Sequence, residues 1–493
     1  MLPAALRRMT RLSLATRRTQ AVARQLMSTQ APTAASEEVP VVFESKLAVR
    51  RYILNRPDKL NALNTPMLEL MLPKIEEWNN SDLCGVIVGT GAGRAFCAGG
   101  DVAGVVSNAA DSNTRHLAVE FFQKEFDLDY FLATLKKPYI AILDGHTMGG
   151  GVGLSVHAPF RVATEKTIYS MPETKIGYFP DVGASYFLSK LDGQLGTYLS
   201  LTGALVSGRD VFDLGLATHF IPSRRVPMLL DQLSTMENPT QDGINEAIEE
   251  LSAERESTET PLRLAGPVRA ALDTAFSHNA VEKIFKDLET FAIDAEPVVR
   301  EWAAETLSAL QLRSPTSLKV ALEAIRRGKS LALVDALNME LRIATAFCSG
   351  ASPDFATGVK AVLVEKTKAR PSWSPNNLDA VTPAIVSKFF DARSPFLQSA
   401  PRIAVSQGSS TVRPMQYALP SEETIGAMVR GSHSKGGNTS MKLDELLAKF
   451  EDLCGGKKGV KEKVIEVAHR RCNVVDNSDG NFVWLKWKQS EGD

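Results

Sequence analysis

The chain has 493 residues, 44% hydrophobic and 23% charged, with a formal net charge of −1; this is the balance of an ordinary globular protein with room for more than one domain. So even a charge argues against a chain-wide affinity for nucleic acid or an anionic membrane surface. Tyr139–Val156, the longest apolar stretch, is broken by Asp144, His146 and five glycines, which leaves no run of the roughly 18–20 residues a spanning helix needs.

The first 36 residues carry Arg7, Arg8, Arg11, Arg17, Arg18 and Arg24, many Ser and Thr, and no Lys, Asp or Glu. This is the composition of a mitochondrial transit peptide, so residues 1–36 are read as a disordered targeting segment and the chain as a matrix protein. A basic disordered tail is the alternative. The five cysteines, Cys84, Cys97, Cys348, Cys454 and Cys472, are scattered without a CxxC or zinc-like spacing, as expected of free thiols in a reducing compartment. Cys97 is read as a packing residue.

From Val41 to about Phe220, strand and helix signals alternate, which argues for an α/β domain. Leu47–Leu54 reads as a strand, and Thr65-Pro66 reads as an N-cap with proline at the first helical position. Leu68, Met71, Ile75 and Trp78 then repeat at helical spacing. Val86–Val88 is a short strand leading into a glycine-rich segment, and a long helical stretch follows up to Leu135. Tyr139–Leu143 is a buried strand, and Gly149-Gly150-Gly151 opens another helix. Residues 224–393 are mostly helical. Residues 394–420, rich in Pro, Ser and Gln, read as a linker. Residues 421–493 read as a small α+β extension. It has two helical stripes, Leu443–Leu453 and Val460–Val467, and two strands flanking the turn Asn477-Ser478-Asp479-Gly480.

Two segments place glycines between a strand and a helix: Ala95–Asp101 and Asp144–Gly153. Glycine lets the backbone approach a ligand closely, and free amides at a helix start favour negative charge. The same glycines also serve tight turns in close packing. Gly153-Leu154-Ser155-Val156-His157 fails the GxSxG nucleophile elbow at its last position, and His157 reads as a packed helix residue. Gly151-Val152-Gly153 begins a dinucleotide fingerprint that Val156 breaks. In Met171–Gly183, Glu173 and Asp181 bracket an apolar stretch. Carboxyls there act as acids or bases if buried, and are merely solvated if not.

The combination of Asn61-Ala62-Leu63, Phe96–Asp101, Gly145–Gly151 and Met171-Pro172-Glu173 is similar to the crotonase, or enoyl-CoA hydratase/isomerase, superfamily. Thr147–Ser155, Phe160–Glu165, Met171–Gly183, Leu201–His219, Asp354–Ala361 and Ala369–Trp373 resemble its 3-hydroxyisobutyryl-CoA hydrolase branch. The likeness spans roughly residues 40–393. It implies an α/β crotonase (ClpP/crotonase-like) fold: a spiral core of ββα units over residues 37–223, then a helical part over 224–393.

The resemblance also implies roles. The Gly100 and Gly150 amides hold the thioester oxygen, and Glu173 is the principal catalytic carboxylate. Asp181 is a second catalytic acid, and Glu125 contacts substrate in the acyl pocket. Lys59, Asn61, Ala62, Leu63, Ala98 and Asp101 line the coenzyme A site, largely through backbone. Gly153 departs from enoyl-CoA hydratases, which place a second glutamate there to hold the added water. The implied reaction is hydrolysis of 3-hydroxyisobutyryl-CoA in valine breakdown, with no metal and no cofactor beyond the coenzyme A of the substrate. Relatives of the family also occur in the mitochondrial small ribosomal subunit. The extension, with Lys457, Lys458, Lys461, Lys463, Arg470 and Arg471 as candidate phosphate contacts, keeps that second reading open, and another hydratase or isomerase reaction is a third. No membrane or DNA partner is implied.

Overall fold

Strands β1 (Val41–Lys46) and β2 (Val49–Leu54) form an antiparallel hairpin, and β2 then pairs in parallel with β3 (Val86–Gly91). From β3 a pattern repeats. β3 is followed by β4 (Ala95–Cys97) and helices Val102–Ala110 and Arg115–Ala133. β5 (Tyr139–Leu143) is followed by β6 (His146–Met148) and helix Gly150–Val156; β7 (Phe160–Ala163) by β8 (Ile168–Ser170) and the helical turn Glu173–Ile176. The first strand of each unit joins a six-stranded sheet ordered β1-β2-β3-β5-β7-β10 (β10, His219–Phe220). The second joins a four-stranded sheet ordered β4-β6-β8-β9 (β9, Val206–Ser207). Thus β4, β6 and β8 lie side by side and parallel. Strands so covered on both faces read as short apolar runs, as β3 and β5 do. The structure is a computed structural model describing residues 39–404, 413–435, 441–476 and 483–488. The arginine-rich segment 1–36 and the expected turn Asn477–Gly480 lie outside the described residues.

Several boundaries differ from expectation for local reasons. Helix Thr65–Asn79 is capped by Asn64, whose side chain accepts from the Met67 amide at 3.2 Å, so Thr65 is already helical. The long stretch up to Leu135 is two helices broken at Asp111–Thr114. Phe355–Val364 changes pitch, from α-helix Asp354–Val359 to a π-helical turn, Lys360–Val364.

From Pro40 onward the chain forms one compact unit, and the extension packs within it. Where described, the stretch read as linker lies on the core. Arg161, fully buried, donates to the carbonyls of Ala158, Leu216 and, at 2.6 Å, Pro414. The Tyr417 ring stacks on Phe160 at 4.7 Å. Helix Val460–Arg471 buries Val460, Val464 and Val467. Of the six residues expected to contact phosphate, Lys457, Lys463 and Arg470 are buried against carboxylates, whereas Lys458 and Arg471 pair with carboxylates while still partly exposed. Lys457 pairs with Glu249, Lys458 with Glu254, and Lys463 with Asp192 at 2.7 Å. Arg470 pairs with Glu422, Glu466 and Asp273, and Arg471 with Glu422. Lys457, Lys463 and Arg470, withdrawn from water into these pairs, are unavailable to a polyanion.

Lys457 is the sharpest test of this clamp, since its side chain is only 8% exposed and lies over the Phe212 ring. Lys457→Ala leaves the half-buried Glu249 with His219 and the Lys458 backbone amide but no lysine ammonium. The expected cost is ~2 kcal/mol, read as a lower Tm and faster tryptic cleavage after residue 413. Lys461→Ala, on the exposed face, leaves both unchanged; equal effects from the two variants would contradict the clamp.

Candidate active site

The loop after β4 is fixed by a bridge between Leu63 and Gly100. The Leu63 amide donates to Gly99 O at 2.8 Å, and the Asp101 amide to Leu63 O at 2.7 Å. Because backbone groups alternate along an extended chain, the Gly100 amide between them takes no part in the bridge. The loop after β6 turns at Gly149, with φ 46° and ψ −120°. A side chain there meets both this left-handed backbone and Glu173, whose Oε1 is 2.9 Å from where a Cβ would stand. The next amide, Gly150, opens helix Gly150–Val156 and so lacks an intrahelical acceptor. A Cβ on Gly99 would lie 4.0 Å from the Gly150 nitrogen, so the two loops abut. The loop after β8 supplies Glu173, at the start of its helical turn and 6% exposed.

These strand ends enclose a cavity of ≈ 120 Å³ lined by Ala98, Gly100, Gly150, Glu125, Glu173 and Asp181, with Phe121, Phe122, Ile176, Tyr178 and Leu363 among its apolar walls. Its size suits a short acyl group rather than a long chain. Two larger open grooves flank helix Pro383–Phe390 but gather none of these acids. Glu125 comes from helix Arg115–Ala133, so close to Gly150 that any Cβ there would strike its Oε1. Asp181 accepts from the Tyr178 hydroxyl at 3.1 Å.

Four carboxyls thus share a dry site: Glu125, Asp129, Glu173 and Asp181 are each at most 6% exposed. Burial disfavours their charged forms, and each charge disfavours the next. Burial pushes Glu125 up to about 8. Burial, reinforced by Glu125, pushes Glu173 to about 8. Asp181 is raised by burial, then by Glu125 and Glu173, and Asp129 by burial, then by Glu125 and Asp181. Near neutral pH the cluster therefore holds protons and behaves as a pool of acids and bases. Glu125 Oε1, Glu173 Oε2 and both Asp129 oxygens have no hydrogen-bond partner within the protein. Cys97 is a packed thiol that burial drives to about 12, and His157 is a buried ring that burial lowers to about 4.

The stretch expected to line a coenzyme A site is only partly at the cavity. Leu63 is buried, and Ala98 lines the wall. Asn61 spends its side chain internally, donating to Ala92 O and Ala95 O and accepting from the Arg56 amide. Asp101 is paired with Arg56 at 3.2 Å, and Lys59 is exposed. Sequence reasoning missed Tyr178, Asp129 and Glu340. Asp129 follows Glu125 at the i, i+4 spacing of one helix face, a signal the sequence does carry. Gly153 packs against it: a Cβ at 153 would lie 2.5 Å from Asp129 Oδ2 and 2.6 Å from Val182 Cβ. Among the described residues, no group of three or more His, Cys, Asp or Glu is arranged to hold a metal ion.

Residues 49–390 match the family described as enoyl-CoA hydratase/isomerase. The chain is 39% identical over 359 residues to the mitochondrial 3-hydroxyisobutyryl-CoA hydrolase of Homo sapiens, covering 73% of this chain and 89% of that one. It is 38% identical over 473 residues to small ribosomal subunit protein mS47 of Neurospora crassa, covering 92% of this chain and 90% of that one. A match that wide cannot leave out the whole extension. The crystal structure of a carnitinyl-CoA dehydratase from Mycobacterium thermoresistibile superposes with a TM-score of 0.64 at 33% identity, covering 72% of this chain and 97% of that one.

Concentrated buried acid has a stability cost with a definite sign. Raised from 4.5 to about 8, Glu173 keeps its proton in the fold where the unfolded chain has lost it. Its contribution is therefore fully present below pH 4.5 and is lost as pH climbs towards 8. Glu173→Gln is expected to be more stable than the wild type at pH 8, by on the order of 2 kcal/mol, and equal to it near pH 4.5. Denaturant melts at both pH values check this; a difference independent of pH would contradict it.

Proposed function

The chain belongs to the enoyl-CoA hydratase/isomerase family, and on that premise we propose that it hydrolyses the thioester of 3-hydroxyisobutyryl-CoA, releasing coenzyme A and 3-hydroxyisobutyrate. The observation that carries this is the convergence of Gly100, Gly150 and Glu173 on one small cavity from three adjacent strand ends. In this reading the Gly100 and Gly150 amides receive the thioester oxygen as it gains charge, and one such donor contributes ~10²–10³ in rate. Glu173 delivers either a water or its own oxygen to the carbonyl carbon. Asp181, kept protonated by its neighbours, protonates or orients the departing group. Glu125 holds the substrate hydroxyl. Asn61, Ala62, Leu63 and Ala98 would meet the coenzyme through backbone, and Lys59 through its charge. Asp101, already neutralised by Arg56, would not repel the phosphates.

Gly153 favours hydrolysis over hydration. A second glutamate there would need the space taken by Asp129 and Val182, so the paired carboxylates that position a hydrating water are not built from this helix. The mitochondrial relatives support a mitochondrial location, and the arginine-rich first 36 residues support import to the matrix. The substrate would there arise from valine breakdown.

Thiol release from 3-hydroxyisobutyryl-CoA tests the reading. Glu173→Gln should lower kcat by ~10²–10⁴ while keeping the wild-type circular dichroism. No thiol release by the wild type, or hydration of crotonyl-CoA at a comparable rate, would sink it.

A second reading is assembly into the mitochondrial small ribosomal subunit. It rests on the relative of that name whose match reaches into the extension. It does not run through Lys457, Lys463 or Arg470, which the core already holds. Co-sedimentation of full-length protein with small subunits on a sucrose gradient supports it, and free migration at the top of the gradient removes it. The two roles are compatible, since the acids are retained.

A further inference from the structure

Asp181 sits on an unfavourable turn. Val182, β-branched, has φ 55°, and Gly183 follows at φ 83°. A β-branched side chain at positive φ persists only where the surroundings over-determine it. Two buried groups that take no part in the chemistry above supply that constraint. Glu340, fully buried on helix Leu333–Cys348, accepts from the Gly183 amide at 2.6 Å, the Ser185 amide at 2.9 Å and the Ser185 hydroxyl. Burial pushes this carboxyl up to about 7, and the three donors turned on it offset only part of that rise. On the other side, His157 Nε2 lies 3.0 Å from Val182 O, and that carbonyl requires the ring nitrogen to be the donor. The ring also fills the space beside Gly183, where any Cβ would strike it.

We propose that Glu340 and His157 are positioning residues that clamp the Asp181–Gly183 turn from opposite sides and so aim the Asp181 carboxyl into the cavity. This rests on Asp181 acting at the reacting site. The groups facing Asp181 are Glu125 and Asp129 from one helix, Glu173 and Tyr178 from its own loop, and Glu340 and Cys348 from another. Among them Glu340 alone is held by three donated hydrogen bonds, and its charge, where ionised, raises Asp181. Removing that charge eases ionisation of Asp181; removing the neutral His157 ring does not. The two variants therefore separate aim from charge.

The experiment is a pH profile of thiol release for the wild type, E340Q, H157F and D181N, with E340Q/D181N closing the cycle. E340Q is expected to lower kcat by ~10–100-fold with KM nearly unchanged, and to move the Asp181 limb of the profile to lower pH. H157F is expected to lower kcat by ~10-fold and leave that limb in place. In the D181N background E340Q should have little further effect. A full additive loss in the double variant, or a fall in kcat with an unmoved limb, would show Glu340 to be structural only and overturn the proposal. If E340Q does not fold, S185A, which removes one of the three donors, should lower kcat in the same sense; unchanged turnover in S185A counts against the clamp. If the wild type releases no thiol, the hydrolase reading fails by itself. The clamp is then tested by ¹³C-carboxyl NMR titration of Asp181, where E340Q should lower its midpoint, and an identical midpoint overturns the inference.

Discussion

β6 pairs in parallel with β4 at His146 and Thr147 on one side and with β8 at His146, Thr147 and Met148 on the other. The chain leaves all three strands in the same direction, so their following loops must share one small space. In open parallel sheets that space is where ligands bind, and here it receives a bridge-held glycine amide, a helix-opening glycine amide and a carboxyl. The glycines follow from the crowding. A side chain on Gly151 would strike Cys97, and one on Gly177 would strike the backbone of Asp354. Close approach of backbone to backbone, rather than any one side chain, is what makes the cavity.

That closeness excludes water, and exclusion of water sets the electrostatics. Glu125, Asp129, Glu173 and Asp181 arrive from a helix and a loop that pack for apolar reasons, through Phe121, Phe122, Phe126, Tyr178 and Phe179. The acids are carried into the core by their neighbours, with little hydrogen bonding to offset the loss of solvent. A cluster in that condition exchanges protons near neutrality, whereas the same residues on a surface would be permanently ionised.

The glycine segments and Glu173 were legible because their signals are local: a strand, a tight turn and a helix in fewer than fifteen residues. The crotonase fold was legible through the same motifs. The misplaced cap at Thr65 shows the limit of local reading, since Asn64 and Thr65 are both good caps and only packing chooses between them. Glu340 lies 157 residues from Gly183 and reads as one more acid on an amphipathic helix. Lys457 and Lys463 misled for a related reason: a lysine looks solvated until its partner, Glu249 or Asp192, is known. Charge pairing across such separations leaves no periodicity to find.

Arg161 is a cation at the centre of the protein without a carboxylate beside it, satisfied by three carbonyls, one of them from Pro414. Residues 158 and 216 of the core and residue 414 beyond it thus meet at one guanidinium. A version of this protein ending before Pro414 would lose one of those acceptors together with the Tyr417 ring stacked on Phe160. The extension is thereby anchored at a side chain that the core also uses for its own loops, a tie that holds whether or not any partner ever meets it.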